Sequence, residues 1–365
     1  MPKSRRQQRQ ERYFKLSSQI AQLDTNHLHA QLEGSDGDAS WGKNHTLDVG
    51  RSKVFVKRIP VTEREYACMF STKNLYELPT YYNYGVGSAG FGAFRELVTH
   101  IKTTSWVLSG EIDLFPLMYH YRIVPCSAAQ PAVDMERHQR YVTYWNSNAN
   151  IGRYILDRAS ATHELLLFLE WMPYTLKPWL LKHPQHIRRV LDDLRATIAF
   201  LRRKGVIHFD AHFYNILTDG ERAYLTDFGL VLDKSFTLAE DEALLFKQNT
   251  HYDYGEVLWS LGYLVVSWYA TLPESDKRSL QTKYGLQDDI DSDQLFLVLI
   301  NNIEEIFTHK LMRLDEAYVA DVVKYRDIML LIHDFFSDMH SNNQKNTKLD
   351  HARLKRMLKA TQFAS

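Results

Sequence analysis

Hydrophobic periodicity changes once along this chain, near Pro173. Before it, the β-prone runs KVFVKRIPV, FPLMYHYRIVP and ELLLFLEWMP are separated by stretches rich in Gly, Asp, Ser and Asn. After it, apolar residues recur at helical spacing, most clearly at Ile187, Val190, Leu191, Leu194, Ile198 and Leu201 ahead of the stop signal Gly205. Strands first and helices afterwards predict an α+β chain with a small, antiparallel, sheet-rich lobe and a larger, mainly helical one. Its 365 residues exceed the usual single domain of roughly 100 to 200, which also favours two lobes.

Within this frame, Tyr13, Leu16, Ile20 and Leu23 predict a short helix behind a basic tip, MPKSRRQQRQER, expected to be mobile. Three antiparallel strands are expected between 28 and 61, with a turn at Gly50 to Ser52, and a long loop over 71–92. Phe94, Leu97, Val98 and Ile101 mark one face of a helix from which Glu96 projects at a neighbouring angle. The reading divides the chain into a tail and short helix (1–27), a sheet-rich lobe (28–172), a helical lobe (173–340) and a polar linker with a last helix (341–365).

Lys plus Arg and Asp plus Glu both total 44, so no global positive field attracts nucleic acid or anionic lipid, and no nucleic-acid partner is expected. Cys68 and Cys126 stand far apart, outside any CxxC pattern, which supports neither a disulfide framework nor a thiolate zinc site. The basic N-terminus lacks a secretory apolar core. The longest apolar stretch, Val257 to Leu272, is interrupted by Ser260, Gly262 and Ser267 and falls short of the roughly 20 residues that span a bilayer. It is expected to be a buried helix, and the chain to be cytoplasmic without a membrane span.

The chemistry concentrates in HFDAHFYN at 208–215 and TDFG at 226–229. Phosphoryl transfer from a nucleotide needs one Asp to orient the acceptor hydroxyl and take its proton, and an Asp with an Asn to hold magnesium against the phosphates. These segments resemble the protein-kinase-like superfamily: His208, Asp210 and Asn215 match its HxDxxxxN loop, and Asp227, Phe228 and Gly229 its DFG turn. A longer run, VFVKRIPVTEREY to FRELVTH, looks like an uncharacterised bacterial serine/threonine protein kinase-like family.

The resemblance implies a two-lobed kinase fold with one key helix in the small lobe. It further implies ATP and Mg²⁺ as cofactors, with Asp210, His212 and Asn215 as catalytic residues and Asn215 and Asp227 as metal ligands. Lys57 would grip the α and β phosphates, positioned by Glu96. Glu63 and Glu65 follow Lys57 too closely for that task, and Glu77 precedes the helix-breaking Leu78-Pro79. A glycine cover is expected in GSDGDASWGKN, with Ser40 and Gly42 nearest the ligand, and backbone groups of Glu170 and Met172 are expected against the base.

Two departures bear on the acceptor. His212 stands where protein kinases commonly carry Lys, and no APE-type element follows the DFG turn. WSLG at 259–262 resembles the DxWSxG segment, yet its Asp position is Val257, with Asp253 as a possible substitute. His208 and His212 do not form a zincin pair, because Phe209 and Asp210 replace the glutamate context of HExxH. The expected activity is transfer of the γ-phosphate to a hydroxyl, of a protein Ser/Thr in first place. A small-molecule kinase and a silent pseudokinase acting as a nucleotide-binding or interaction module are the alternatives.

Overall fold

A computed structural model describes residues 3–33, 44–126 and 133–364. The protein is α+β, with a small antiparallel sheet and a majority of helix. It divides into two compact units, Met1–Met172 with Thr226–Leu245, and Pro173–Leu225 with Phe246–Ser365. The DFG segment, which sequence reading places in the helical lobe, therefore clusters with the sheet.

In the first unit, β1 (Asn44–Val49) and β2 (Ser52–Val61) form a hairpin through Gly50, and β4 (His163–Glu170) and β3 (Met118–Pro125) complete a four-stranded sheet of order β1-β2-β4-β3. All three pairings are antiparallel, with Lys57 opposite Leu167. Side chains alternate across a strand. Ile59, Val61, Leu165, Leu167 and Leu169 consequently share one face, where they pack with Ala93, Phe94 and Leu97 of α4 (Ala93–Ser109). Each fully buried Leu, Ile or Phe contributes ~1.5–3 kcal/mol, enough to seat α4 firmly on the sheet. Lys57 is in phase with Ile59, so it emerges on the α4 side.

The N-terminal segment corrects two expectations. Of the expected mobile tip, residues 5–12 belong to α1 (Arg5–Ala21), opened by a capping box between Ser4 and Gln7, with Arg9 buried. The first of the three expected strands is absent among the described residues of 28–33, which belong to α2 (Thr25–Glu33). Leu28 and Leu32, four residues apart, are buried on one helical face. A short α3 (Glu63–Ala67) follows β2, a 3-10 turn covers Thr80–Asn83, and a helical hairpin, α5 (Met135–Tyr144) and α6 (Ala149–Ala159), sits between β3 and β4. After the DFG turn come β9 (Leu232–Asp233) and the start of α9 (Glu240–Gln248).

The second unit opens with β5 (Tyr174–Thr175), α7 (Leu176–Lys182) and α8 (Ile187–Lys204), which buries the six expected apolar positions and stops at Gly205. β6 (Val206–Ile207) leads into the 208–215 loop. β7 (Ile216–Thr218) and β8 (Ala223–Leu225) pair antiparallel with each other, and β5 joins β7. The expected helix over 257–272 is two elements, α10 (Tyr252–Gly262) and α11 (Leu264–Ala270). Then come α12 (Glu274–Tyr284), α13 (Ser292–Asn301), α14 (Ile303–Thr308), the long α15 (Glu316–Ser341) against which α10 packs, and α16 (His351–Ala360). Among the described residues no helix is long and apolar enough to cross a membrane.

Candidate functional site

In the sheet unit, Lys57 Nζ lies 2.6 Å from Glu96 Oε1 and 2.9 Å from Asp227 Oδ1. Strand phase delivers the lysine to α4, whose first turn carries Glu96. Burial alone would lower the Lys57 pKa, but the charges of Asp227 and Glu96 outweigh it, so the pKa is raised and the ammonium persists. Burial likewise opposes ionisation of Glu96, yet Lys57 holds its pKa below the ordinary value.

Glu65, set aside by sequence reading as too close to Lys57, serves a different purpose. Its Oε2 accepts the Thr62 N–H at 2.9 Å and its Oε1 the Ala93 N–H at 2.8 Å, so one buried carboxylate caps both α3 and the helix that carries Glu96. The backbone at Gly92 has φ +108, and a Cβ there would stand 2.8 Å from that carboxylate oxygen. Only glycine satisfies both conditions. Phe228 of the DFG turn packs edge-on against His100 of α4, with ring centres 4.8 Å apart.

In the helical unit, four consecutive backbone N–H groups of the 208–215 loop donate to side chains. His208 and Phe209 donate to the two oxygens of Asp253 at 2.9 Å each, Asp210 to His208 Nδ1 at 3.2 Å, and Ala211 to Glu256 at 2.6 Å. His208 is fully buried and braces the loop from inside. Asn215 Nδ2 donates to Asp210 twice, to its carbonyl at 3.0 Å and its carboxylate at 2.7 Å, and His212 Nε2 lies 3.4 Å from Asp210 Oδ1. Phe209 (φ 64) and Asp227 (φ 63) both occupy the left-handed region. Each costs ~1–3 kcal/mol and persists only where surroundings over-determine it, as the Asp253 bridge and Lys57 do here.

Asp253 and Glu256, one turn apart on α10, are the residues that sequence reading missed or half saw. An i, i+3 acidic pair on an otherwise apolar helix was the available signal. Burial pushes the Asp253 carboxyl up to about 6, against the lowering effect of its two N–H donors. Burial, then Asp210 and Asp253, push Glu256 well above the carboxylate range. A raised folded pKa means that Asp253 contributes stability that is complete below about 4, the unfolded value, and is lost as pH rises through about 6. The stability advantage of wild type over Asp253→Asn is therefore expected to shrink between pH 4 and pH 6, which denaturant unfolding of both proteins across that window would measure.

The other expected contacts divide. Ser40 and Gly42 lie outside the described residues. The Glu170 N–H donates to the Leu117 carbonyl at 2.7 Å, so it is already committed within the sheet edge. The Glu170 side chain is buried against Arg9 of α1, 2.6 Å away. Met172 follows β4, half-buried. A glycine run unused in the sequence reading, Gly85-Val86-Gly87-Ser88-Ala89-Gly90, packs beside the DFG turn, where Phe91 N–H donates to the Gly229 carbonyl at 3.0 Å. Its spacing was visible within the stretch assigned to a long loop.

Magnesium typically takes one or two protein oxygens and completes its shell with phosphate and water. In the sheet unit Asp227, with 41% of its side chain exposed, offers a carboxylate oxygen of that kind, and in the helical unit Asn215, whose Nδ2 is spent on Asp210, keeps its amide oxygen as the atom suited to a cation. Among the described residues no group of three or more His, Cys, Asp or Glu is arranged to hold a metal unaided. Comparison of the chain with protein-family models and with curated proteins finds no match in either.

Proposed function

We propose that this protein is an ATP- and Mg²⁺-dependent phosphotransferase with a protein-kinase-like, two-lobed fold, moving the γ-phosphoryl group to a hydroxyl of a protein Ser/Thr. The observation that carries the reading is the double engagement of Lys57 by Glu96 and Asp227, residues 39 and 170 positions away in the chain. This part-buried lysine with its two carboxylates carries a net negative charge, so it suits a phosphate chain that arrives with a divalent cation beside Asp227, as a Mg²⁺-nucleotide does.

Magnesium, when bound, neutralises phosphate charge. Asp227 and Asn215 would hold it, and Lys57, fixed in direction by Glu96, would anchor the non-transferred phosphates. Asp210, held by Asn215 and by the loop's bonds to His208, Asp253 and Glu256, orients the acceptor hydroxyl and takes its proton. The new bond forms between that oxygen and the γ-phosphorus; the bond from γ-phosphorus to the bridging oxygen breaks, and ADP leaves. His212, beside Asp210, is suited to the transferred phosphate or the acceptor.

Calorimetric titration with ATP is expected to give clearly tighter binding with Mg²⁺ than with chelator, because the cation offsets repulsion between Asp227 and the phosphates. Equal affinity in both conditions would remove the metal role of Asp227 and Asn215. Incubation with γ-labelled ATP and fractionated lysate then identifies the acceptor. Label on a metabolite would favour a small-molecule kinase, and Mg²⁺-dependent binding without transfer the silent module.

A further inference from the structure

The turn carrying Asp227 is held from the side by a loop that no catalytic role accounts for. Asn83, fully buried, donates from Nδ2 to the Leu230 carbonyl at 2.9 Å, and Phe91 N–H donates to the Gly229 carbonyl at 3.0 Å. The two bonds grip adjacent carbonyls just after the DFG aspartate. Gly90, at φ +92, lets the loop approach so closely that a Cβ would lie 2.9 Å from Gly229 O.

The loop is itself buttressed by the hairpin inserted between β3 and β4. Tyr144 of α5 donates to the Val86 carbonyl at 2.9 Å, and Tyr141 to the Gly87 carbonyl at 3.0 Å. Tyr82 closes the set: its hydroxyl accepts the Ala89 N–H at 2.9 Å and lies 2.6 Å from the Tyr141 hydroxyl. Burial keeps the Tyr82 and Tyr141 phenols protonated, so these bonds persist across the neutral range. From α5 through the 82–91 loop to the 229–230 carbonyls, the chain of bonds is continuous and lies wholly inside one unit.

We infer that Asn83 is a positioning residue for Asp227, and that the α5–α6 hairpin acts through Tyr141 and Tyr144 as the brace that keeps this latch closed. The latch is a property of the fold. Its consequence for Mg²⁺ rests on the phosphotransferase reading. Asp227 sits in a strained left-handed conformation, and a turn gripped at the carbonyls two and three residues on holds its carboxylate in one place without added phosphate charge on the following segment.

The test uses the full chain with Asn83→Ala and, as a milder and more distant change, Tyr141→Phe. Hydrogen exchange of the peptide covering 226–233 is expected to accelerate about tenfold in Asn83→Ala, the loss of one buried hydrogen bond, and less in Tyr141→Phe, with exchange in β2 and β4 unchanged. ATP affinity in chelator should stay at the wild-type value while the gain on adding Mg²⁺ shrinks. General loosening would weaken both alike and so overturn the positioning role, as would a wild-type Mg²⁺ gain alongside faster exchange. Unchanged exchange in both variants would overturn the latch. If wild type shows no Mg²⁺ gain yet exchange accelerates, the latch stands and the phosphotransferase reading falls.

Discussion

Asp210→Asn is expected to lower phosphate transfer by about 10² to 10⁴ while leaving Mg·ATP affinity near wild type, because the amide keeps size and hydrogen-bonding capacity but accepts no proton. Local geometry favours a clean result. Asn215 bonds the Asp210 backbone carbonyl as well as its carboxylate, and Asp253 and Glu256 hold the neighbouring amides whichever side chain stands at 210. Asp227→Asn should behave differently, weakening both Mg·ATP binding and transfer, since it removes an anionic ligand. Asn tolerates the left-handed conformation of this position better than most residues, so the backbone should survive the change. Parallel measurement of affinity and single-turnover transfer separates the two roles. A wild-type chain inert toward every acceptor, or an Asp210→Asn variant as active as wild type, would sink the enzymatic assignment.

Legibility in the sequence followed the range of the interactions. β2, β4 and α8 were readable because their apolar periods are local and long, whereas Lys57 was singled out by the resemblance and its place on the α4 face follows only from the packed sheet. The resemblance called for a helical glutamate beside Lys57, and setting aside Glu63, Glu65 and Glu77 left Glu96; the function of Glu65 as a double cap was not reachable, because it depends on Gly92 turning the chain back onto it. Within HLHAQL, alternation competes with the i, i+4 pair Leu28 and Leu32, and tertiary packing decides for helix.

The support beneath the 208–215 loop was half legible. Sequence spacing aimed at Val257, whereas the fold uses Asp253, four residues earlier on α10, with Glu256 beside it. Both acids lie some 45 residues beyond the amides they accept. The i, i+3 acidic pair on an apolar helix hints at burial, but which amides the two acids accept emerges only when α10 is packed against its neighbours, which is also what raises their pKa values. The glycine run at 85–90 was plain in the sequence and was read as loop, because spacing alone does not say whether a glycine admits a ligand or, as here, another stretch of backbone.

The basic N-terminus shows the same limit most sharply and carries the largest expected loss of stability. Arg9 looks like one of several solvated cations, yet its guanidinium donates to both Glu170 oxygens, to the Asp113 carbonyl at 2.7 Å and to the Phe115 carbonyl at 2.6 Å, and only 7% of its side chain is exposed. The planar fork is fully used, which lysine could not reproduce. Arg9→Ala would strand the Glu170 carboxylate, itself 4% exposed, with the Leu117 N–H at 3.2 Å and a distant, largely exposed Arg12. Removing one partner of a buried pair costs ~3–5 kcal/mol, whereas replacing both by apolar residues of similar volume is close to neutral. Denaturant unfolding should therefore show a large fall in midpoint for Arg9→Ala, a smaller one for Arg9→Lys, and recovery of most of the loss in Arg9→Met with Glu170→Leu. An unfolding free energy for Arg9→Ala within about 1 kcal/mol of wild type, the range of an exposed pair, would mean that α1 is not held to the sheet edge through this contact.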